Sequence, residues 1–292
     1  MELISKIFRR DGAHGDVGIE IEVEGDNLPG QLEYWRCEHD GSLRGNSMEY
    51  VLARPLLLAD AKRALEELDK EYKKHGTVVH DSGRAGVHVH VNCQGMNIIQ
   101  LYNFMVLYLM FEDVLVQWCG EDRVGNLFCL RSKDAEFLIY ALCRGLEKGK
   151  FRELFATDDL RYASMNVRAL TNYGSLEFRA MRSTRDMEHI YKWAEALVGL
   201  RNAAMDVTDP TELIYQVSAG GEEAFLDTFL PTMSEDLKKQ EGWAEAIREG
   251  MRRAQEVAFA GDWEALAKGP KRIVGGLEVP NAWADDLPPM DV

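Results

Sequence analysis

The sequence predicts an α+β protein: a curved, mainly antiparallel sheet with helices on one face and an open polar face on the other. Three observations carry this. Short segments alternate strictly between apolar and polar residues, as half-buried strands do. Helical stretches interrupt them irregularly, without the regular strand–helix alternation of a parallel α/β fold. The polar faces of these strands also share one chemistry, with carboxylates, imidazoles and a guanidinium recurring opposite an apolar stripe.

Residues 16–24 form the first strand. Val17, Ile19, Ile21 and Val23 point to a core, and Glu20, Glu22 and Glu24 point away from it. Residues 25–33 carry turn chemistry. Tyr34–Glu38 is a short strand, His39–Ser42 a turn, and 47–52 a strand that sets Glu49 among apolar neighbours. Residues 59–75 are helical, with Ala61, Leu65, Leu68 and Tyr72 on one stripe and Gly76 as the stop. Thr77–His80 is a strand, and 81–86 a loop feeding the strand 86–92. There Val87, Val89 and Val91 face the core, and His88, His90 and Asn92 the open side. The run 97–118 is a buried helix, followed by a loop at 119–131 and a helix at 133–148. Residues 161–170 and 174–181 form the last strand pair, with Leu176, Phe178 and Ala180 opposed to Glu177 and Arg179. Everything from Thr184 is helical, with segments near 210–218, 221–229, 235–258 and 262–268. The expected organisation is a core over 1–184, a helical extension over 185–268 packed on it, and a loosely ordered tail over 269–292.

Composition narrows the function classes. The net charge of −15 argues against an extended nucleic-acid footprint, which needs clustered Lys and Arg. It leaves room for a nucleotide held by a few arginines and metal ions. Five scattered cysteines with no Cys-x-x-Cys indicate neither a zinc knuckle nor a disulfide framework, and a reducing cytoplasm is the expected setting. The start, MELISKIFRRDG, is too short and too charged for a secretory signal. The most apolar run, 97–119, includes Gln100, Asn103, Glu112, Asp113 and Gln117, so it reads as an interior helix and not a membrane span. Neither a Gly-x-Gly-x-x-Gly nor a Walker-type motif is present.

Taken singly, each polar strand face has a plainer reading: a solvated acidic edge, hydrogen-bonded histidines, or a surface ion pair. Four such strands in one sheet would bring the faces together. Adjacent carboxylates would then repel unless a cation joined them, and a divalent metal is the simplest partner.

The ordered set of motifs resembles the amidoligases of the glutamine synthetase and gamma-glutamylcysteine ligase superfamily, in particular small phage or bacterial members. It comprises Gly18-Ile19-Glu20-Ile21-Glu22, Trp35 with Asp40-Gly41-Ser42-Leu43, Glu49-Tyr50-Val51 leading to Pro55-Leu56, Gly86-Val87-His88-Val89-His90, Arg161 to Asn166, and Ser175-Leu176-Glu177-Phe178-Arg179. The resemblance implies ATP, two or three Mg²⁺ or Mn²⁺ ions, and phosphorylation of a carboxylate that an amine then attacks. Carried over by position, Glu20, His88 and Glu177 would hold one ion, and Glu22 and Glu49 another. Oxygen-rich ligands with one histidine suit Mg²⁺ or Mn²⁺. Arg179 would face the transferred phosphoryl group and His90 the carboxylate substrate. Asp40, Arg123, Asn126, Arg161 and Asn166 are weaker expectations for nucleotide or substrate contacts. The substrates implied are a small-molecule or peptide carboxylate and an amine, with a modified nucleobase among the options and a homo-oligomer compatible. Two departures, Val51-Leu52-Ala53-Arg54-Pro55 and Met181-Arg182-Ser183-Thr184, alter the substrate end more than the metal end. The alternative reading is a metal-dependent hydrolase or phosphotransferase using the same groups. In either case the four glutamates are expected to repel one another without metal.

Overall fold

The computed structural model describes residues 1–269 and the strands Lys271–Val274 and Leu277–Pro280. The chain opens with a single turn, α1 (Ile4–Ile7), and then β1 (Val17–Asp26), β2 (Trp35–Glu38) and β3 (Ser47–Leu52). Helix α2 (Leu58–His75) leads through β4 (Val78–Val79) to β5 (Gly86–Asn92) and the long helix α3 (Ile98–Cys119). After α4 (Glu136–Lys148) and α5 (Phe151–Leu154) come β6 (Met165–Asn166), α6 (Ala169–Tyr173) and β7 (Ser175–Arg182). The remainder is α7 (Met187–Asp206), α8 (Pro210–Phe229), α9 (Ser234–Leu237), α10 (Trp243–Ala258), α11 (Trp263–Lys268) and the hairpin β8 (Lys271–Val274) and β9 (Leu277–Pro280).

Among the described residues the main sheet has seven strands, in the order β2-β3-β1-β5-β7-β6, with β4 against the far end of β1. Every pairing in it is antiparallel. The expected antiparallel sheet is therefore present, and β1 lies near its centre. Val17, Ile19, Ile21, Val23, Val87, Val89, Val91, Leu176 and Phe178 are all fully buried on one face. On that face Phe104 and Tyr108 of α3 set their rings 5.5 and 4.7 Å from the Phe178 ring.

Helix α3 starts at a capping box in which Asn97 and Gln100 satisfy each other's backbone amides. It is apolar on all sides because 18 of its 22 residues are buried, between the sheet and the C-terminal helices. It is long and apolar enough to cross a membrane, but here it lies inside the protein. Its two acidic residues are both engaged. Glu112 accepts hydrogen bonds from the Ser132 amide and from the Ser132 and Ser164 hydroxyls. Asp113 binds Arg131 at 2.9 Å and Arg253 of α10 at 2.6 Å. Burial raises the Glu112 pKa despite these bonds. One hydrophobic core runs from Ile4 to Trp263, so the strands and the C-terminal helices share it.

Three expectations shift. The strand proposed for 161–170 shrinks to Met165–Asn166. Residues 162–164 instead exchange bonds with Leu130 in a parallel bridge, and Asn166 Oδ1 accepts the Arg168 amide, turning the chain into α6. The helix expected over 235–258 breaks before α10, where Gly242 takes φ +74°. The expected tail over 269–292 lies outside the described residues except for the β8–β9 hairpin.

Helix α10 packs closely on α3 through Gly250. A Cβ built there would stand 2.4 Å from the Met110 carbonyl oxygen and 2.6 Å from that of Leu109. Helix propensity alone would make Gly250→Ala stabilising by ~1 kcal/mol. We expect the opposite sign, a loss of about 1–3 kcal/mol from overpacking, measured by urea unfolding.

Candidate active site

Directly opposed residues of antiparallel strands point to the same face. Register therefore brings together what the sequence scatters. Glu20 of β1 lies opposite His88 of β5, and Glu22 opposite Glu49 of β3. Glu177 of β7 lies between His90 of β5 and Asn166 of β6. Between Val87 and Val89 the β5–β7 register shifts by one residue, so Arg179 and Ala180 together oppose His88. Arg179 continues the register of Glu177 and Phe178, which sets its guanidinium beside the imidazole, and Ala180 is the extra residue of the bulge.

The resulting cluster is compact. His88 Nδ1 lies 3.3 Å from Glu20 Oε2 and 3.8 Å from Glu177 Oε1, and His88 Nε2 lies 3.8 Å from Glu22 Oε1. His90 Nε2 is 3.4 Å from Glu20 Oε1, and its Nδ1 meets the Ser175 hydroxyl at 3.2 Å. Arg179 Nη1 binds Glu177 Oε1 and lies 3.5 Å from His88 Nδ1. Asn166 Nδ2 donates to Glu177 Oε2 at 2.6 Å, and the Gly86 amide donates to Glu22 Oε2 at 2.8 Å. His88, Glu177 and Glu22 are buried, and Glu20 is the more open member.

Charge is unevenly balanced across the patch. Burial alone would raise the Glu20 pKa, yet hydrogen bonds to His88 and His90, with their charge, hold it well below the usual carboxylate range. Burial is likewise outweighed at Glu177, where His90, Arg179 and His88 lower the pKa. The reciprocal shifts raise His90 and Arg179 against their own burial, through Glu20 and Glu177. Glu49 is the exception. Burial, then the charges of Glu20, Glu22, Asp40 and Glu38, push it up to about 7. The expected repulsion among the glutamates shows most at Glu49, while at Glu177 the histidines and Arg179 outweigh the charge of Glu20.

Glu20, His88 and Glu177 each offer one ligand atom, and the three atoms lie within 4.8 Å of one another. Two carboxylates and one imidazole at that spacing fit a hard divalent ion. The family model described as "Putative amidoligase enzyme" matches residues 35–200, more than half of the chain. The chain belongs to this amidoligase family. The match contains Glu49, His88, His90, Glu177 and Arg179, while β1 with Glu20 and Glu22 precedes it. No curated protein matches the chain. Membership supports an enzyme with ligase activity and does not favour the hydrolase or phosphotransferase alternative.

In this amidoligase the weaker expected residues divide. Asn166 touches the cluster by orienting Glu177. Asp40 anchors the 40–43 turn through the Ser42 amide and hydroxyl; burial works against its ionisation, but those bonds and the charges of His88 and Arg161 lower its pKa. Arg161 is exposed, with its guanidinium over the Tyr162 ring. Arg123 is fully buried, and donates to the Arg179 and Ala180 carbonyls, so it braces the bulge. Asn126 ties its own loop to the Gly83 carbonyl. Sequence reasoning missed Gly86, Ser175 and Tyr173, whose ring stands edge-on to His90 at 5.4 Å. Only their places next to the His-x-His and Glu-x-Arg strands signalled them. Glu24, placed by sequence on the polar face of β1, accepts the Arg44 amide at 2.8 Å and so ties the 40–45 loop to that strand.

A raised carboxyl pKa has a definite pH signature. The neutral form of Glu49 supports the metal-free fold fully below its unfolded pKa of about 4.5, and this support is lost as pH rises through about 7. In chelator, Glu49→Gln should leave Tm unchanged at pH 5 and raise it at pH 8, by about 2–4 °C per kcal/mol relieved. Equal Tm values at both pH values would show that Glu49 carries no such strain.

Proposed function

We propose that this amidoligase is an ATP-dependent carboxylate–amine ligase working with Mg²⁺ or Mn²⁺ on a glutamine synthetase-like catalytic fold. The convergence of Glu20, His88 and Glu177 beside Arg179, in a chain of this family, carries the reading. The first three would hold one ion, and Glu22 with Glu49 a second. Bound there, the ions supply positive charge that offsets the phosphate oxygens of ATP.

The chemistry is a double displacement. A carboxylate oxygen attacks the γ-phosphorus, the bond to the β,γ-bridging oxygen breaks, and ADP leaves. The amine nitrogen then attacks the acyl carbon, phosphate departs, and the nitrogen loses a proton. Arg179, held by Glu177 and by the Phe128 carbonyl at 3.3 Å, would stabilise charge on the transferred phosphoryl group. His90, fixed between Glu20 and Ser175, would orient the carboxylate. Asn166 keeps Glu177 aligned, as outer partners of ligands commonly do. In this reading residues 1–184 are the catalytic core and 185–268 its helical extension. The protein works in the cytoplasm on a small or peptide carboxylate and an amine, without an extended nucleic-acid or membrane partner. A homo-oligomer is compatible with it.

Two measurements test this. ADP release should require a carboxylate and an amine together with Mg²⁺ or Mn²⁺, and absence of nucleotide binding with or without metal would sink the reading. Glu20→Ala should lower turnover by about 100-fold or more, the scale of losing one preorganised electrostatic contact. The same variant should keep its circular dichroism and lose the Mn²⁺-induced rise in Tm.

A further inference from the structure

Past Glu20 and His90, at the end of the open face away from Gly86, lies a cavity of about 160 Å³. Its walls are apolar: Ala13, Val51, Leu52, Pro55 and the backbone at Gly18. Most of its polar neighbours are already engaged. Asn92 donates to the Ala13 and Gly15 carbonyls, and the Ser175 hydroxyl meets His90. Arg36 stands at the margin, paired with Glu38 at 3.3 Å and largely exposed. The polarity of the cavity is therefore at one end, where Glu20 and His90 join it to the proposed metal site.

Sites for drug-sized ligands occupy about 300–1,000 Å³, so this space can bury a chain of a few carbons and is too small to bury a nucleotide base or a bulky peptide side chain. We infer that the cavity receives the hydrocarbon part of a short aliphatic carboxylic acid whose carboxylate lies at Glu20 and His90, and that Gly18 sets its depth. The inference rests on the ligase reading and names the acyl substrate of that same site. Gly18 lies opposite His90 in register. A Cβ at Gly18 would find its nearest neighbour, His90 Cβ, at an ordinary 3.5 Å. A larger side chain there has room to leave the backbone in place and fill the cavity.

The test uses the full chain with ATP, Mn²⁺ and hydroxylamine as the amine. The hydroxylamine nitrogen attacks the acyl carbon, phosphate leaves, and a hydroxamate is counted. Straight-chain acids of about three to six carbons should be used, with benzoate and peptide acids poor. Gly18→Leu should cut kcat/KM for the longer acids by about tenfold or more and shift preference toward acetate. With Mn²⁺ present, hexanoate should raise the Tm of the wild-type protein and not that of Gly18→Leu. Val51→Phe fills the cavity from the opposite wall and replaces Gly18→Leu if that variant does not fold. Unchanged chain-length profiles in the filled variants, or a wild-type preference for bulky acids, overturn the pocket while leaving the ligase reading intact. Absence of Mn²⁺·ATP binding and of ADP release with every acid overturns both.

Discussion

Three carboxylates, two of them buried, can share one sheet face only if cations stand between them. His88 touches Glu20, Glu22 and Glu177, and Arg179 touches Glu177 and His88. An isolated buried carboxylate would be heavily penalised, and here the imidazoles and the guanidinium offset that penalty for Glu20 and Glu177. Glu49 has carboxylates around it and, among the described residues, no salt bridge, so its pKa is pushed up to about 7. A divalent ion would change that balance at once, drawing Glu49 into the ionised form. In the proposed metal-bound enzyme, ion uptake would thus release the Glu49 proton.

A backbone irregularity borders this arrangement. The regular ladder through Glu177–His90 and Phe178–Val89 carries on to place Arg179 opposite His88, and the bulge takes up Ala180 just beyond it, before the ladder resumes at Met181–Val87. Several groups hold the bulge. Arg123 donates to the Arg179 and Ala180 carbonyls, and the Ser164 carbonyl accepts the Arg179 amide at 2.9 Å. The Ser164 hydroxyl binds Glu112 of α3, and the same carboxylate binds Ser132, which Arg253 of α10 contacts. The buried polar seam under the sheet therefore connects the C-terminal helices to the position of Arg179. Helices that carry no chemical motif of their own contribute in this way to the precision of the site.

Much of this was legible in the sequence because strand periodicity is strict. Alternation in 17–24, 86–92 and 175–179 was enough to separate the core face from the face carrying Glu20, Glu22, His88, His90, Glu177 and Arg179. What alternation could not convey was register and repair. The role of Arg123 depends on two carbonyls more than fifty residues away. The short β6 follows from a parallel bridge to Leu130, and no local pattern encodes it. Likewise, the repulsion expected among the four glutamates could not be apportioned without the register. Register assigned the histidines to Glu20 and the carboxylates to Glu49.

The family match begins at residue 35, after β1, yet β1 supplies Glu20 and Glu22. The sheet order removes the apparent conflict. The matched region contains β3 and β5, and in this protein they do not pair with each other; each pairs with β1. Without a strand between them, both would present unpaired backbone amides and carbonyls along one edge. Glu49 and His88, on their facing sides, would also be separated from the carboxylates that complete the cluster. The region that matches is thus structurally incomplete without a strand of β1's length, and that strand must alternate so that its outward residues can join Glu49, His88 and Glu177. Glu20-Ile21-Glu22 meets both demands: its isoleucine closes the core, and its two glutamates face the site from a strand that lies beside both β3 and β5.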